Sequence, residues 1–380
     1  MSDKKYTILS LFSGAGGLDL GFENEGFKLL EAIDINPWCV KTINKNRPDW
    51  NVILGDVCTY HPKLIKSPDV LIAGVPCQGF SLGGNRHSQD KRNLLYKEVI
   101  RIAEICRPRV ILIENVLNLR TMLVPHTKIP YTEQIASELT KIGYQVFYGI
   151  FKVCYYGVPQ TRRRFVFIAF KKAAPSNYLL PPETAITTIR DFLYDLAQNP
   201  TINLPNHNPT WGFKSAVHIE TQEIFNSYEE VLPVRLSRTA SDGHPVRSFD
   251  APFPAIDTAT VWGWAQGNII AKRYPKDRTQ EKFVRNPQAS VTLWRISASR
   301  IRAFTHREYA RLQTFPDEWI FLGGNKRDIH LQIGNAVPVR FAQHLAKNIK
   351  KALKCLDQDL PFSPPPSQTP ISESVQLSLF

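Results

Sequence analysis

One cysteine stands in a setting that ordinary packing does not call for. In Gly74-Val75-Pro76-Cys77-Gln78-Gly79-Phe80-Ser81 the apolar run Asp69-Val70-Leu71-Ile72-Ala73 ends in a proline-fixed turn that carries a single thiol. A cysteine buried as a small hydrophobe, the usual fate of a free thiol, needs neither that proline nor the Gln, Gly and Ser that follow. A nucleophile does need a rigid, partly exposed mount, and proline supplies rigidity by fixing φ and removing a backbone donor. The expected chemistry is covalent catalysis by Cys77 at the carboxyl end of a strand buried on both faces.

Such a thiol must be held by a scaffold, and the pattern around it describes one. Apolar segments near 6–12, 29–34, 51–54, 69–74, 109–113, 145–152 and 164–170 alternate with helical segments near 17–25, 37–46, 94–106 and 132–142. The alternation predicts an α/β fold with a doubly wound, mostly parallel sheet. Ligands of such sheets gather at the carboxyl ends of the strands. There the sequence places Phe12-Ser13-Gly14-Ala15-Gly16-Gly17, then Asp34, then Gly55-Asp56-Val57, then Pro76-Cys77, then Glu114-Asn115. The glycine loop lets backbone approach a ligand at a helix N-terminus. It is not the dinucleotide pattern, because Asp19 stands where the third glycine would fall. Asp34, about 20 residues on, suits ribose hydroxyls, or alternatively the cap of the next helix. A ribose acid without a pyrophosphate cradle points to an adenosine cofactor such as S-adenosyl-L-methionine. Glu114 beside apolar walls is either structurally paired or tuned as an acid. Arg162 and Arg164, alternate residues leading into a strand, share a face suited to an anion or a polar base edge, or form an ordinary basic edge.

The composition bounds the partners. The 380 residues are 43% hydrophobic and 21% charged, with a formal net charge of +13, which suggests a polyanion. The six cysteines form no CxxC pair, which argues against a disulfide framework and a zinc site, so no metal is expected. No apolar run reaches the ~20 residues of a membrane span, and the start shows no secretory segment, so a cytoplasmic protein is expected. From about 171 to 300 the alternation gives way to proline-rich and aromatic sequence, read as a second domain. In it Lys272, Arg273, Lys276, Arg278, Lys282 and Arg285 follow Trp262-Gly263-Trp264, a mixture suited to phosphate contact and base stacking or to a solvated face. The polar loop after Ser81, including Arg92, could close on a phosphate backbone. A helix is expected over 302–313, with a capping box at Thr305 and Glu308, another over 339–354, and a disordered tail after it.

Taken together, these residues resemble the cytosine-5 DNA methyltransferases from about Ile8 to Lys350. The similarity rests on Phe12, Gly14 and Gly16; Pro76-Cys77-Gln78; Glu114-Asn115-Val116; Gln160, Arg162 and Arg164; the Arg-Leu-Gln-x-Phe-Pro segment at 311–316; and Gly-Asn-Ala-Val at 334–337. Asp34 in place of Glu, Val75 before Pro76, and Val153-Cys154-Tyr155 in place of an Asn-Ala pair depart from the pattern without removing a catalytic group. The resemblance implies a flipped cytosine attacked at carbon 6 by Cys77, with Glu114, Arg162 and Arg164 around the base. It implies an S-adenosyl-L-methionine pocket of Phe12, Gly14, Gly16, Leu18, Asp34, Asp56, Val57, Asn335 and Val337. Double-stranded DNA would be contacted through Gln78, Ser81, Arg92, Arg273 and Lys276. The implied domains are 1–174 for catalysis and cofactor, 175–304 for target recognition, 305–355 as hinge and return, and 356–380 as tail. A monomer with a cognate restriction endonuclease acting on the same site is the expected context. The alternatives are a tRNA methyltransferase branch, whose Cys-Phe-Thr segment is absent, and a nucleotide-dependent oxidoreductase, which has no use for Pro-Cys-Gln beside Glu-Asn-Val.

Overall fold

The computed structural model describes residues 5–63, 67–76, 94–210, 223–225, 231–236, 246–256, 261–267, 269–276, 291–298, 300–363 and 377–378, with backbone alone for 223–225, 269–276, 291–297 and 377–378. The first half runs β1 (Thr7–Leu11), α1 (Gly17–Asn24), β2 (Lys28–Asp34), α2 (Pro37–Asn46), β3 (Val52–Leu54), β4 (Val70–Gly74), α3 (Tyr96–Cys106), β5 (Val110–Val116), α4 (Tyr131–Lys141), β6 (Tyr144–Lys152) and β7 (Arg163–Lys171). All seven expected strands are present, in the sheet order β6-β7-β5-β4-β1-β2-β3. The pairs among β1 to β5 are parallel, and β7 lies antiparallel between β5 and β6.

Alternation along the strands divides the core. Leu9, Leu11, Leu71, Ile111 and Ile113 face a cluster with Val99, Ile102, Ile135 and Leu139 of α3 and α4. Ile8, Val70, Ile72, Val110 and Leu112 face the opposite cluster with Leu18 and Phe22 of α1. Because side chains of a strand point alternately to the two faces, a strand with helices on both sides must be apolar throughout, which is why β4 and β5 read as unbroken hydrophobic runs. The crossovers run one way from β1 to β3 and the other way from β4 to β5, so the switch point lies between β1 and β4. That is where a crevice opens at the carboxyl ends.

The second half comprises α5 (Arg190–Gln198), β8 (Glu223–Phe225), β9 (Leu232–Arg235), β10 (Trp262–Gln266), β11 (Ile269–Lys276), β12 (Val291–Ser297), β13 (Arg300–Ala303), α6 (His306–Leu312), α7 (Lys326–Asn335), α8 (Val339–Gln358) and β14 (Leu377–Ser378). Two three-stranded antiparallel sheets form here, β13-β10-β9 and β12-β11-β8. The core of the first is continuous with the catalytic half: Phe249, Trp262, Trp264 and Phe304 share one cluster with Leu20 of α1, Ile43 of α2 and Trp319.

Two expectations are corrected. The helix expected from 302 begins at His306, because Arg302 belongs to β13, paired with Trp264. Its guanidinium is bidentate to Glu308, at 2.9 and 2.7 Å, while Glu308 also closes the capping box onto the Thr305 amide at 2.6 Å. An extended Arg302 and a helix capped at Thr305 are the arrangement that satisfies this fully buried pair. The tail boundary at 356 is also too early, since α8 runs to Gln358. Asp357 accepts from Tyr6 Oη at 2.8 Å and from Arg109 at 2.7 Å, and Phe362 is buried against Tyr178.

α8 returns to the first half and packs along α1. A side chain at Gly21 would place Cβ 2.4 Å from Ala342 Cβ, and one at Gly17 would place it 2.2 Å from the Val337 carbonyl oxygen. Only glycine allows backbones this close. Among the described residues no helix is long and apolar enough to cross a membrane.

Candidate active site

Past β1 the chain turns through left-handed conformations at Phe12 (φ +55°), Gly14 (φ +55°) and Gly16 (φ +83°) before α1 begins. At the open face of Gly14 nothing lies within 4 Å of where a Cβ would be, so a ligand can approach the backbone. Asp34 reaches back into this loop: Oδ2 accepts from the Gly14 amide at 2.8 Å, and Oδ1 accepts from the Asn36 amide at 2.8 Å. Burial pushes its carboxyl above the ordinary range, while the two amides oppose this. Asp34 does not cap α2. Asn36 does, accepting from the Trp38 amide at 2.9 Å. Each carboxylate oxygen of Asp34 has lone-pair capacity beyond its one amide, as ribose hydroxyls would require.

The other expected cofactor residues divide. Asp56 is exposed and caps the 3-10 turn Val57–Thr59 by accepting from the Cys58 amide at 2.9 Å, with Val57 buried behind it. Val337 is buried, with Cγ2 3.8 Å from the Cβ position of Gly74, and so stands over the crevice. Asn335 is exposed at the end of α7. Leu18 turns into the core beneath α1, so it supports the loop from below and does not line it. Sequence reasoning passed over Ile35 and Leu54, 68% and 56% exposed at the ends of β2 and β3. Single apolar residues make no motif. Their signal is apolar exposure beside Asp34 at the carboxyl edge of the sheet, a setting suited to a flat apolar ligand face.

Cys77, Gln78, Ser81 and Arg92 lie outside the described residues; Val75 and Pro76, which lead to them, lie within. Gly74 pairs with Glu114 across β4 and β5, so the chain leaves β4 beside that carboxyl. Asn115 spans the same gap, its Nδ2 donating to the Val75 carbonyl at 3.5 Å. Glu114 is 7% exposed, and Arg164 Nε lies 2.6 Å from its Oε1, an ion pair without an in-line hydrogen bond. Burial pushes the Glu114 carboxyl up and Arg164 pulls it down, with burial the larger effect. Glu114 is thus a buried carboxyl, held by Arg164, at the edge where a hydrogen-bonding ring could be oriented.

Arg162 does not join Arg164. It is buried, and its Nη1 donates to the carbonyls of Gly334 at 2.9 Å and Ile256 at 3.3 Å. Alternate residues share a face only within a strand, and β7 begins at Arg163, one residue too late. Gln160 acts with Arg162: its Oε1 accepts from the Ile256 amide at 3.1 Å and its Nε2 donates to Gln313 Oε1 at 3.0 Å. Together they clamp the approach to β7 onto residue 256 and onto the segments around 313 and 334. Arg273 and Lys276 lie on β11, away in sequence from every group above.

Beneath the glycine loop lies a polar cluster that the motifs do not account for. Asp19 is fully buried in the first turn of α1, with the Ser10 hydroxyl beside it and the Ser13 hydroxyl buried as well, and among the described residues no cation is near enough to pair with it. Burial raises the Asp19 carboxyl to about 7, the neighbouring Ser10 hydroxyl opposing and Asp34 adding to it.

A partly buried carboxyl at the end of β2, exposed apolar residues at the ends of β2 and β3 and an open glycine loop suit an adenosine-bearing methyl donor. The sheet, with β7 antiparallel between β5 and β6, is that of the S-adenosylmethionine-dependent methyltransferases. Comparison with known proteins narrows the class. The family model for C-5 cytosine-specific DNA methylases matches residues 6–351. Type II methyltransferase M.DdeI of Desulfomicrobium norvegicum is 31% identical over 368 residues, covering 90% of this chain and 88% of its own. Type II methyltransferase M.NgoMIV of Neisseria gonorrhoeae is 31% identical over 352 residues, covering 92% and 99%. Among solved structures, a DNA modification methyltransferase encoded within an Escherichia coli prophage superposes with TM-score 0.61 at 21% identity, over 92% of this chain and all of its own. Spodoptera frugiperda DNMT2 does so with TM-score 0.57 at 16% identity, over 91% and 99%. The chain belongs to the C-5 cytosine-specific DNA methylases. It is an enzyme that transfers a methyl group from S-adenosyl-L-methionine to carbon 5 of cytosine in DNA.

Proposed function

We propose that Cys77 is the nucleophile, adding its thiolate to carbon 6 of a cytosine turned out of the duplex, and that Glu114 holds that base. The observation that supports this is the Gly74 to Glu114 register, which sends the chain toward Pro76, the residue before Cys77, beside a buried carboxyl paired with Arg164. Addition at carbon 6 moves electron density to carbon 5 and to ring nitrogen 3, and Glu114 donates a hydrogen bond at nitrogen 3 where that charge develops. Arg164 fixes the carboxyl, while Asn115 ties the turn to β5. The cofactor supplies an electrophilic methyl group. Asp34 would hold its ribose, Ile35 and Leu54 its adenine and the Gly14 backbone its amino-acid part. Loss of the carbon 5 proton and expulsion of Cys77 then restore the ring.

Residues 175–304 serve as the target-recognition part, with Arg273 and Lys276 on phosphates, and the protein acts as a cytoplasmic monomer. The type II relatives support a modification enzyme with a cognate endonuclease. Gln78, Ser81 and Arg92 complete the DNA contact. The test is transfer of labelled methyl groups to duplex DNA: Cys77→Ser is expected to abolish transfer while the protein still binds S-adenosylmethionine. Transfer at the wild-type rate in Cys77→Ser would overturn the assignment. Bisulfite sequencing of the methylated DNA then reports the target sequence.

A further inference from the structure

The chain leaving Glu114 builds a feature that the mechanism does not use. After Val116 a 3-10 turn, Leu117–Arg120, is anchored by the buried Leu119. Residues 121–130 then fold back as a hairpin. The Tyr131 amide donates to the Met122 carbonyl at 3.0 Å, the Val124 amide to the Ile129 carbonyl at 2.9 Å and the Thr127 amide to the Val124 carbonyl at 3.1 Å. His126 turns the tip in a left-handed conformation, φ +61°. The hairpin is seated on the core through Met122 and Val124, so its shape is set before any partner arrives.

What it presents outward is unusual. Leu123 and Ile129 are 47% and 43% exposed. Around them Arg120, His126 and Lys128 are exposed, and no acidic residue occurs between Asn115 and Thr132. A loop whose only task is to join β5 to α4 gains nothing from exposed leucine and isoleucine beside positive charge with no acid within the hairpin itself. Apolar side chains flanked by cations are what a protein sets against a nucleic-acid groove, where the cations meet phosphates and the apolar groups press on sugars or between base steps. The hairpin also rises from the edge of the sheet that holds Glu114, and any duplex delivering a base to Glu114 must lie across that edge. Removing a base from the stack leaves a gap and unstacked neighbours, which an inserted apolar side chain can support.

We propose that hairpin 121–130 is a DNA contact beside the target base, with Arg120 and Lys128 on phosphates and Leu123 and Ile129 against the groove wall. This rests on the duplex being the substrate, and binding measurements test it without any catalytic step, so its failure is separable from failure of the Cys77 mechanism. The probe is a short fluorescein-labelled duplex of mixed sequence, titrated in the presence of S-adenosylhomocysteine at several salt concentrations. For Arg120→Gln combined with Lys128→Gln, the slope of log affinity against log salt is expected to shallow by about 0.9 for each cation removed. For Leu123→Ser combined with Ile129→Ser, affinity is expected to fall about tenfold with the slope unchanged. Wild-type thermal melting and S-adenosylhomocysteine binding in both variants exclude misfolding as the cause. A wild-type salt slope in the first variant overturns the phosphate contacts, and wild-type affinity in the second overturns the groove contact. Wild-type DNA binding in both overturns the proposal outright, and the patch would then face a protein.

Discussion

Asp19 is a carboxyl buried beneath the cofactor loop, and its replacement by asparagine makes a quantitative test of what that burial does. In the unfolded chain the carboxyl ionises in the ordinary aspartate range, near 3.9; in the folded protein burial holds it at about 7. Below the unfolded value both states carry the proton and the site costs nothing through ionisation. Between about pH 4 and 7 the unfolded chain releases a proton that the folded protein keeps, so stability is lost as pH rises through that window, then levels off. Roughly three pH units at about 1.4 kcal/mol each gives a loss of about 4 kcal/mol. The substituted asparagine is nearly isosteric with aspartate and cannot ionise. Its buried amide adds a fixed cost of about 1–3 kcal/mol, but that cost does not change with pH. The assay is urea denaturation of wild type and Asp19→Asn at pH 5, 6, 7 and 8. The difference in stability should move in favour of the variant by about 1.4 kcal/mol per pH unit up to about pH 7 and then stay constant. A difference independent of pH would refute the reasoning, because it would mean that Asp19 is ionised in the folded protein throughout.

Other perturbations follow from the same contacts. With the base held by Glu114 as proposed, Glu114→Gln should lower the methyl-transfer rate by about 10²–10⁴ with S-adenosylmethionine binding retained; calorimetry of cofactor binding beside a rate assay checks both. Arg164→Ala removes the group that opposes burial, so Glu114 should become harder still to ionise, seen as an upward move of the Glu114 carboxyl resonance in NMR titration. Gly17→Ala would place Cβ 2.2 Å from the Val337 carbonyl and must push α1 away from the return segment. A loss of about 1–3 kcal/mol and weaker cofactor binding are expected, measured by denaturation and calorimetry. Glu308→Ala strands the buried Arg302 guanidinium and should cost about 3–5 kcal/mol, read in the same denaturation assay.

The sheet was legible in the sequence because β4 and β5 are covered by helices on both faces, and such strands must be apolar residue after residue. The carboxyl-edge groups were legible for a related reason: each stands where an apolar run stops. Gly14, Asp34 and Glu114 stand on one edge by that rule alone, and the capping box at Thr305 and Glu308 is set by spacing. What spacing could not supply was the partner of each group. Arg162 and Arg164 are two residues apart, yet one holds main-chain carbonyls at 256 and 334 and the other holds Glu114. That separation depends on where β7 begins, which is decided by its pairing with β5 and β6. Arg302 reads as the start of a helix until its buried carboxylate partner and its pairing with Trp264 make it extended. Leu18 matches a cofactor-loop position, but the direction in which α1 lies on α8 turns it into the core. The exposure of Ile35, Leu54, Leu123 and Ile129 and the burial of Asp19 are properties of the assembled surface. A local pattern determines which residues stand at a strand's end; long-range packing alone decides what each of them faces.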